Sequence, residues 1–319
     1  MIHQLPLEVR FLKRFARHLH EAGVPAHHFE RMLTALADKL GLNCQALSSP
    51  TSIFLSFQFQ DDEDDSRPIP NQLERVNPPG INLGNTAALY QMGNSLLDDQ
   101  ISTEQAYSSL RDWQPEQLYP LWLQIICWGL TGGTVAVMLS ASWAGIATAA
   151  MSGALLGILV TQAGEAMRQG GLEAIAALLS TFLVFAVNQL VPGLDVYVVI
   201  MSSLIVLIPG LGLTTAVTEL STDHLASGSA RLAGALVTLL KLSLGVLIGT
   251  VVVGWFGWSS DIESMLTLAT PPDWFRWPAL LAAAFSFGVL FSARRKDFHI
   301  AMLAAILSYV ISRIGVAAG

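Results

Sequence analysis

At 319 residues, with 52% hydrophobic and only 13% charged residues, the chain is too apolar for a soluble protein of its size. Its formal charge of -7, without a dense basic patch, excludes nucleic acid as a partner, and two cysteines in unlike surroundings, Cys44 and Cys127, exclude a disulfide framework. Nine of the 17 Lys and Arg and 15 of the 24 acids lie before Leu118, which predicts a soluble front of residues 1–115 and a membrane body after it.

The front opens with a charged stretch that has no continuous apolar core and so does not read as a signal peptide. Leu7, Phe11, Phe15 and Leu19 recur at helical spacing, which predicts a helix over 6–22 closed by Gly23. A second helix is predicted from Pro25 to Leu40, with Pro at its start and Gly41 after its end. Ile53, Leu55, Phe57 and Phe59 alternate with more polar positions, the pattern of a strand with one buried face, and residues 44–47 and 73–76 can pair with it. The acidic run DDEDDSRPIP between them lacks the spaced ligands and Gly of a calcium loop. Two more helices follow, over 82–97 and 103–113, making a compact α+β module.

Histidines 18, 20, 27 and 28, with Glu21 and Glu30, invite a metal or catalytic reading. No HExxH or Cys and His constellation supports one, and a short amphipathic helix with surface histidines explains them more simply. Neither a P-loop nor a GxSxG elbow is present, so ATP-driven pumping has no support and no cofactor is implied.

From Leu118 seven apolar segments are long enough to be spans: about 118–139, 143–163, 172–191, 194–217, 229–256, 277–293 and 298–316. They divide into a first membrane half, 116–260, and the start of a second, 275–319. Arg168, Arg231 and the cluster 294–296 fall in alternate connections, which puts those connections and the front in the cytoplasm. The run through Leu204 is interrupted at Pro209 and Gly210 and again near Ser227 and Gly228, the pattern of a broken membrane helix. Such breaks sit where protein or a water-filled cavity covers the backbone, so Pro209, Gly210, Gly212, Thr214, Thr215 and Thr218 are candidate substrate-binding residues. Thr hydroxyls also bond their own helix carbonyls, which is the competing reading. Lys241 lies about a dozen residues from either end of its apolar segment, and such a charge calls for a cavity or a carboxylate, with Glu219 and Asp195 as candidate partners.

Three stretches carry a resemblance: EAGVPAHHFERMLTALADKLGL, RVNPPGINLGNTAALYQMGNSLLDDQISTEQAYSSL and IPGLGLTTAVTELSTDHLASGSARL. Together they are similar to the motifs of the threonine/serine exporter family, whose members join a cytoplasmic module to membrane helices. The resemblance spans residues 20 to 317 and points to Glu30 in the first stretch and to Pro209, Gly210, Glu219, Gly228 and Arg231 in the third. It also implies a multi-pass protein of the bacterial cytoplasmic membrane. His27 and His28 stand where the family has His-Arg. Fused members carry two membrane halves, whereas here two helices follow the start of the second, so the chain is either a fragment or completed by a partner protein or a second copy.

The resemblance implies an α-helical polytopic membrane protein that exports small polar metabolites, threonine and serine first, on the proton gradient, with lipid around it. The substrate carboxylate would meet the broken helix, and Glu219, Lys241, Asp195 or Arg231 would serve coupling. Related split systems imply a dicarboxylate such as succinate as the alternative cargo. A membrane-anchored hydrolase built on His27, His28 and Glu30, or a non-transporting partner subunit, are readings from other classes.

Overall fold

The computed structural model describes residues 5–61, 69–77, 80–114, 118–164, 167, 170–258 and 268–318. Most of the acidic run and Arg168, whose readings are given above, lie outside the described residues. The chain divides into two compact units, Met1–Gln117 with Gly210–Ala235, and Leu118–Pro209 with Leu236–Gly319. The stretch 210–235, which the sequence groups with the membrane body, therefore counts with the front.

In the first unit, α1 (Leu7–Glu21) and α2 (Ala26–Lys39) each start directly after a proline, whose missing N–H costs nothing at a helix start. They end before Gly23 and Gly41, which adopt the positive φ that closes such helices. Strands β1 (Leu42–Ser49), β2 (Ser52–Phe59) and β3 (Gln72–Arg75) form one antiparallel sheet in that order, with Cys44 opposite Phe57 and Ile53 opposite Glu74. The alternation of β2 sends Ile53, Leu55 and Phe57 inward, where they meet Phe11, Phe15, Leu19, Phe29 and Leu33. Helix α3 (Leu83–Leu97) is capped by the Asn82 side chain, and α4 (Thr103–Arg111) by a reciprocal box between Ser102 and Gln105. Leu89, Leu96, Ala106 and Leu110 from these two helices complete the core.

The rest of this unit is α9 (Gly210–Ser221) and the beginning of α10 (Leu225–Trp255). Thr222 and Asp223 turn the chain between them, Asp223 at φ +62°. Gly228 makes the hairpin tight: a Cβ there would stand 2.8 Å from Leu220 Cγ and 3.0 Å from the Ala216 carbonyl oxygen.

The second unit holds α5 (Leu121–Met138), α6 (Trp143–Gln162), α7 (Leu172–Leu190), α8 (Val196–Leu204), the remainder of α10, α11 (Arg276–Leu290) and α12 (Phe298–Ala318). Among the described residues, α5, α6, α7 and α10 are long and apolar enough to cross a membrane, and the broken pair Val196–Leu207 and Gly210–Ser221 makes a fifth if it is one span. That is four or five candidate spans where the sequence predicts seven. The sixth expected segment folds as α11, whose 15 residues reach about 22 Å at 1.5 Å per residue, short of a core of about 30 Å. Small residues set the closest approaches: a Cβ on Gly153 would lie 2.7 Å from the Trp128 carbonyl oxygen, and one on Gly249 2.7 Å from Thr181 Cβ.

Lys241 departs from its expected surroundings. Helix α10 begins at Leu225, before the apolar segment, and packs parallel to α7, with Gly245 on Ala174 and Ala177 and Gly249 on Thr181. Lys241 Nζ accordingly meets Glu173 Oε2 at 3.5 Å, in the first turn of α7. The charge is level with the end of a span and its partner is Glu173, not Glu219 or Asp195. Asp195 itself caps α8, accepting the Val198 N–H at 3.2 Å.

Candidate functional site

Helix α2 leaves an orphan donor where Pro25 precedes it, because proline offers no capping oxygen for the first N–H groups. Glu219, at 0% exposure, fills that role from the far end of the chain, its Oε1 accepting the Ala26 N–H at 2.9 Å. The same carboxylate receives Arg231 through a two-point fork, Nε to Oε2 and Nη2 to Oε1, both at 3.1 Å. Two guanidinium N–H groups and one backbone N–H converge on this carboxylate, all of them donors. Arg rather than Lys suits the task, since only a planar guanidinium reaches both oxygens at once.

One turn on, the chain between α9 and α10 sets His224. Its backbone N–H bonds the Glu219 carbonyl at 2.9 Å, and its Nδ1 lies 2.7 Å from the Thr222 carbonyl oxygen. Nε2 stands 3.1 Å from Glu30 Oε2, on α2. His27 lies 6.1 Å from His224 between ring centroids and 4.1 Å from His28. Three buried atoms in this part of the unit, His27 Nδ1, Glu30 Oε1 and Ser227 Oγ, have no hydrogen-bond partner among the described residues. Burial raises the Glu30 pKa above the ordinary carboxylate value, opposed by the His224 charge and hydrogen bond and reinforced by Glu219. Burial also lowers that of His27, with His28, His224 and Arg31 adding to the effect and Glu219 opposing it.

The fold thus joins Glu30, His27 and His28 to Glu219 and Arg231, which the sequence names separately, and adds His224, which it does not. The only trace of His224 in the sequence is its place in the third family-like stretch, five residues after Glu219. The other histidines of the front part company: His18 pairs with Glu21 at 3.5 Å, and buried His20 meets the Pro50 carbonyl at 3.4 Å. Among the described residues no group of three or more His, Cys, Asp or Glu is placed to hold a metal ion. Thr214 and Thr218 donate their hydroxyls to carbonyls one turn back, Gly210 at 3.1 Å and Thr214 at 3.0 Å, leaving only their oxygen lone pairs for another group. Both are exposed, as is Gly210, while Pro209, Gly212 and Thr215 are half-buried. Asp195 and Lys241 belong to the second unit, each with the partner described above.

The chain resembles known proteins over most of its length. The "Uncharacterized protein C7D4.12c" of Schizosaccharomyces pombe is 21% identical over 95% of this chain and 40% of its own length. "Pheromone-regulated membrane protein 10" of Zygosaccharomyces rouxii is 24% identical over 88% of this chain and 28% of its own. The protein of the same name in Saccharomyces cerevisiae is 22% identical over 95% and 39%. The chain therefore spans well under half of these curated relatives. They are fungal, and they bear on residence in a membrane, not on the bacterial inner membrane implied above. No solved structure matches significantly. The family model described as "Putative threonine/serine exporter" matches residues 10–253, which include most of α1, all of α2 to α4, the break at Pro209 and the Glu219–Arg231 pair, and the chain belongs to that family.

Proposed function

We propose that the chain is a secondary exporter of small polar amino acids, threonine and serine, driven by the proton gradient. The observation that carries this reading is the interruption at Pro209: within the matched residues an apolar run stops at Leu207 and a new helix starts at Gly210. Half-helix starts of this kind present N–H groups and a positive dipole end to a carboxylate. In this reading the amino-acid carboxylate meets the first turn of α9 near Gly210 and Gly212, and the oxygens of Thr214, Thr215 and Thr218 receive its ammonium and hydroxyl protons. Glu219 and Arg231 hold α9, α10 and α2 in place as a fixed charge pair, and residues 1–117 face the cytoplasm.

Efflux from cells preloaded with threonine, serine or succinate, with and without a protonophore, tests the reading. Protonophore-sensitive loss of threonine or serine is expected. Efflux of succinate alone would replace the cargo, and no acceleration by a membrane-inserted chain would refute transport by this chain alone.

A further inference from the structure

The hydrogen bonds around His224 fix where its protons lie. A carbonyl oxygen only accepts, so the 2.7 Å contact with Thr222 requires a proton on Nδ1. The Thr222 hydroxyl, 3.1 Å from Nδ1, donates to the Thr218 carbonyl at 3.0 Å and is free to accept as well. A neutral imidazole carries one N–H, which leaves a lone pair on Nε2. That lone pair would face Glu30 Oε2 at 3.1 Å, and an ionised carboxylate has only lone pairs to set against it. The contact is therefore a hydrogen bond only when one further proton sits between Nε2 and Oε2, on the imidazolium or on the carboxylic acid.

We propose that Glu30 and His224 together carry the proton that couples this exporter, while Glu219 is not the coupling carboxylate; the inference rests on the proton-driven reading above. Three observations agree. Glu219 already accepts three N–H groups that tie α9 to α2 and α10, the geometry of a structural clamp. Glu30 keeps Oε1 buried and, among the described residues, unpartnered, which disfavours its charged form and suits a proton that comes and goes. The pair also bridges α2 to the turn between α9 and α10, so loss of its proton sets two lone pairs against each other and releases the turn that ends the candidate substrate helix.

The charged and titratable groups around the pair act in opposite senses. On α2, Glu219 of α9 favours a proton on Glu30 and the His224 charge opposes it, while His28, Arg31 and His224 disfavour added positive charge on the neighbouring His27; Arg231 of α10 is tied to Glu219.

The test uses the full chain reconstituted in lipid vesicles. Glu30→Gln and His224→Gln each replace a titrating group by an amide that still donates across the same gap. Wild-type threonine flux is expected to change about tenfold between about pH 6 and pH 8, and flux in either variant less than about twofold. Imidazole nitrogen NMR of the same proteins reads the proton without transport. His224 in Glu30→Gln is expected to carry its hydrogen on Nδ1 when neutral, and in wild type to gain the Nε2 proton in the pH range over which flux changes. A wild-type pH profile retained in both variants, or a neutral His224 protonated on Nε2, would overturn the assignment. Absence of threonine or serine flux in wild type would refute the exporter reading instead, and the NMR result would still decide where the proton sits.

Discussion

Replacing Arg231 by methionine removes a partner that the fold cannot replace. Glu219 is fully buried, and without the guanidinium its carboxylate would keep a single donor, the Ala26 N–H. Breaking a buried ion pair from one side costs about 3–5 kcal/mol. The Arg231 side chain is 16% exposed, so some screening remains and the lower bound, about 3 kcal/mol, applies. At about 1.4 kcal/mol per tenfold, amides at the starts of α2 and α10 should lose roughly 100-fold of their hydrogen-exchange protection. Replacing Glu219 by methionine as well removes the stranded charge, leaving the unpaired Ala26 N–H, at about 1 kcal/mol or roughly fivefold. Hydrogen exchange read by mass spectrometry on wild type, Arg231→Met, Glu219→Met and the double variant measures both. If the double variant loses protection equal to the two single losses added together, the pair is not coupled and the clamp does not exist.

Acid and base should act on different residues of the same cluster. Burial lowers the His27 pKa below 6.5, so its contribution to stability is complete above that value and is lost as the pH falls through the lowered one. His27→Gln should thus gain stability relative to wild type below about pH 6 in thermal melts, and a constant difference across pH would contradict this. Glu30 shifts the other way: its contribution is complete below 4.5 and lost as the pH rises through the raised value, so Glu30→Gln should gain on wild type at neutral pH. In the second unit, a side chain on Gly245 would collide with the Ala174 carbonyl oxygen and stand 2.7 Å from Ala177 Cβ. Gly245→Leu should destabilise by about 1–3 kcal/mol through overpacking, while the same change at Gly254, where an added Cβ meets open space, should be nearly silent in a melt.

Much of the front was legible because its signals are local. Pro25 and Gly41 bracket α2 by backbone chemistry alone, and the alternation from Ile53 to Phe59 marks both the strand and its buried face. The break at Pro209 was legible for the same reason, since a missing donor acts wherever the residue falls. The surroundings of charges were not. Lys241 is central in its own helix, but the register of α10 against α7 sets it beside the first turn of that helix and gives it Glu173. The threonines after the break looked like ligands, and two of them bond their own helix.

By itself, the sequence determined an apolar body, a mixed front, the ends of most helices and membership of an exporter family, all of which rest on composition, short-range sterics and motifs. Only the tertiary structure decided that Glu219 caps a helix 193 residues away and that His224 meets Glu30 across 194. Pairings at that separation leave no periodicity to read. A buried carboxylate takes whatever donors the fold brings to it, and that depends on how every intervening element packs.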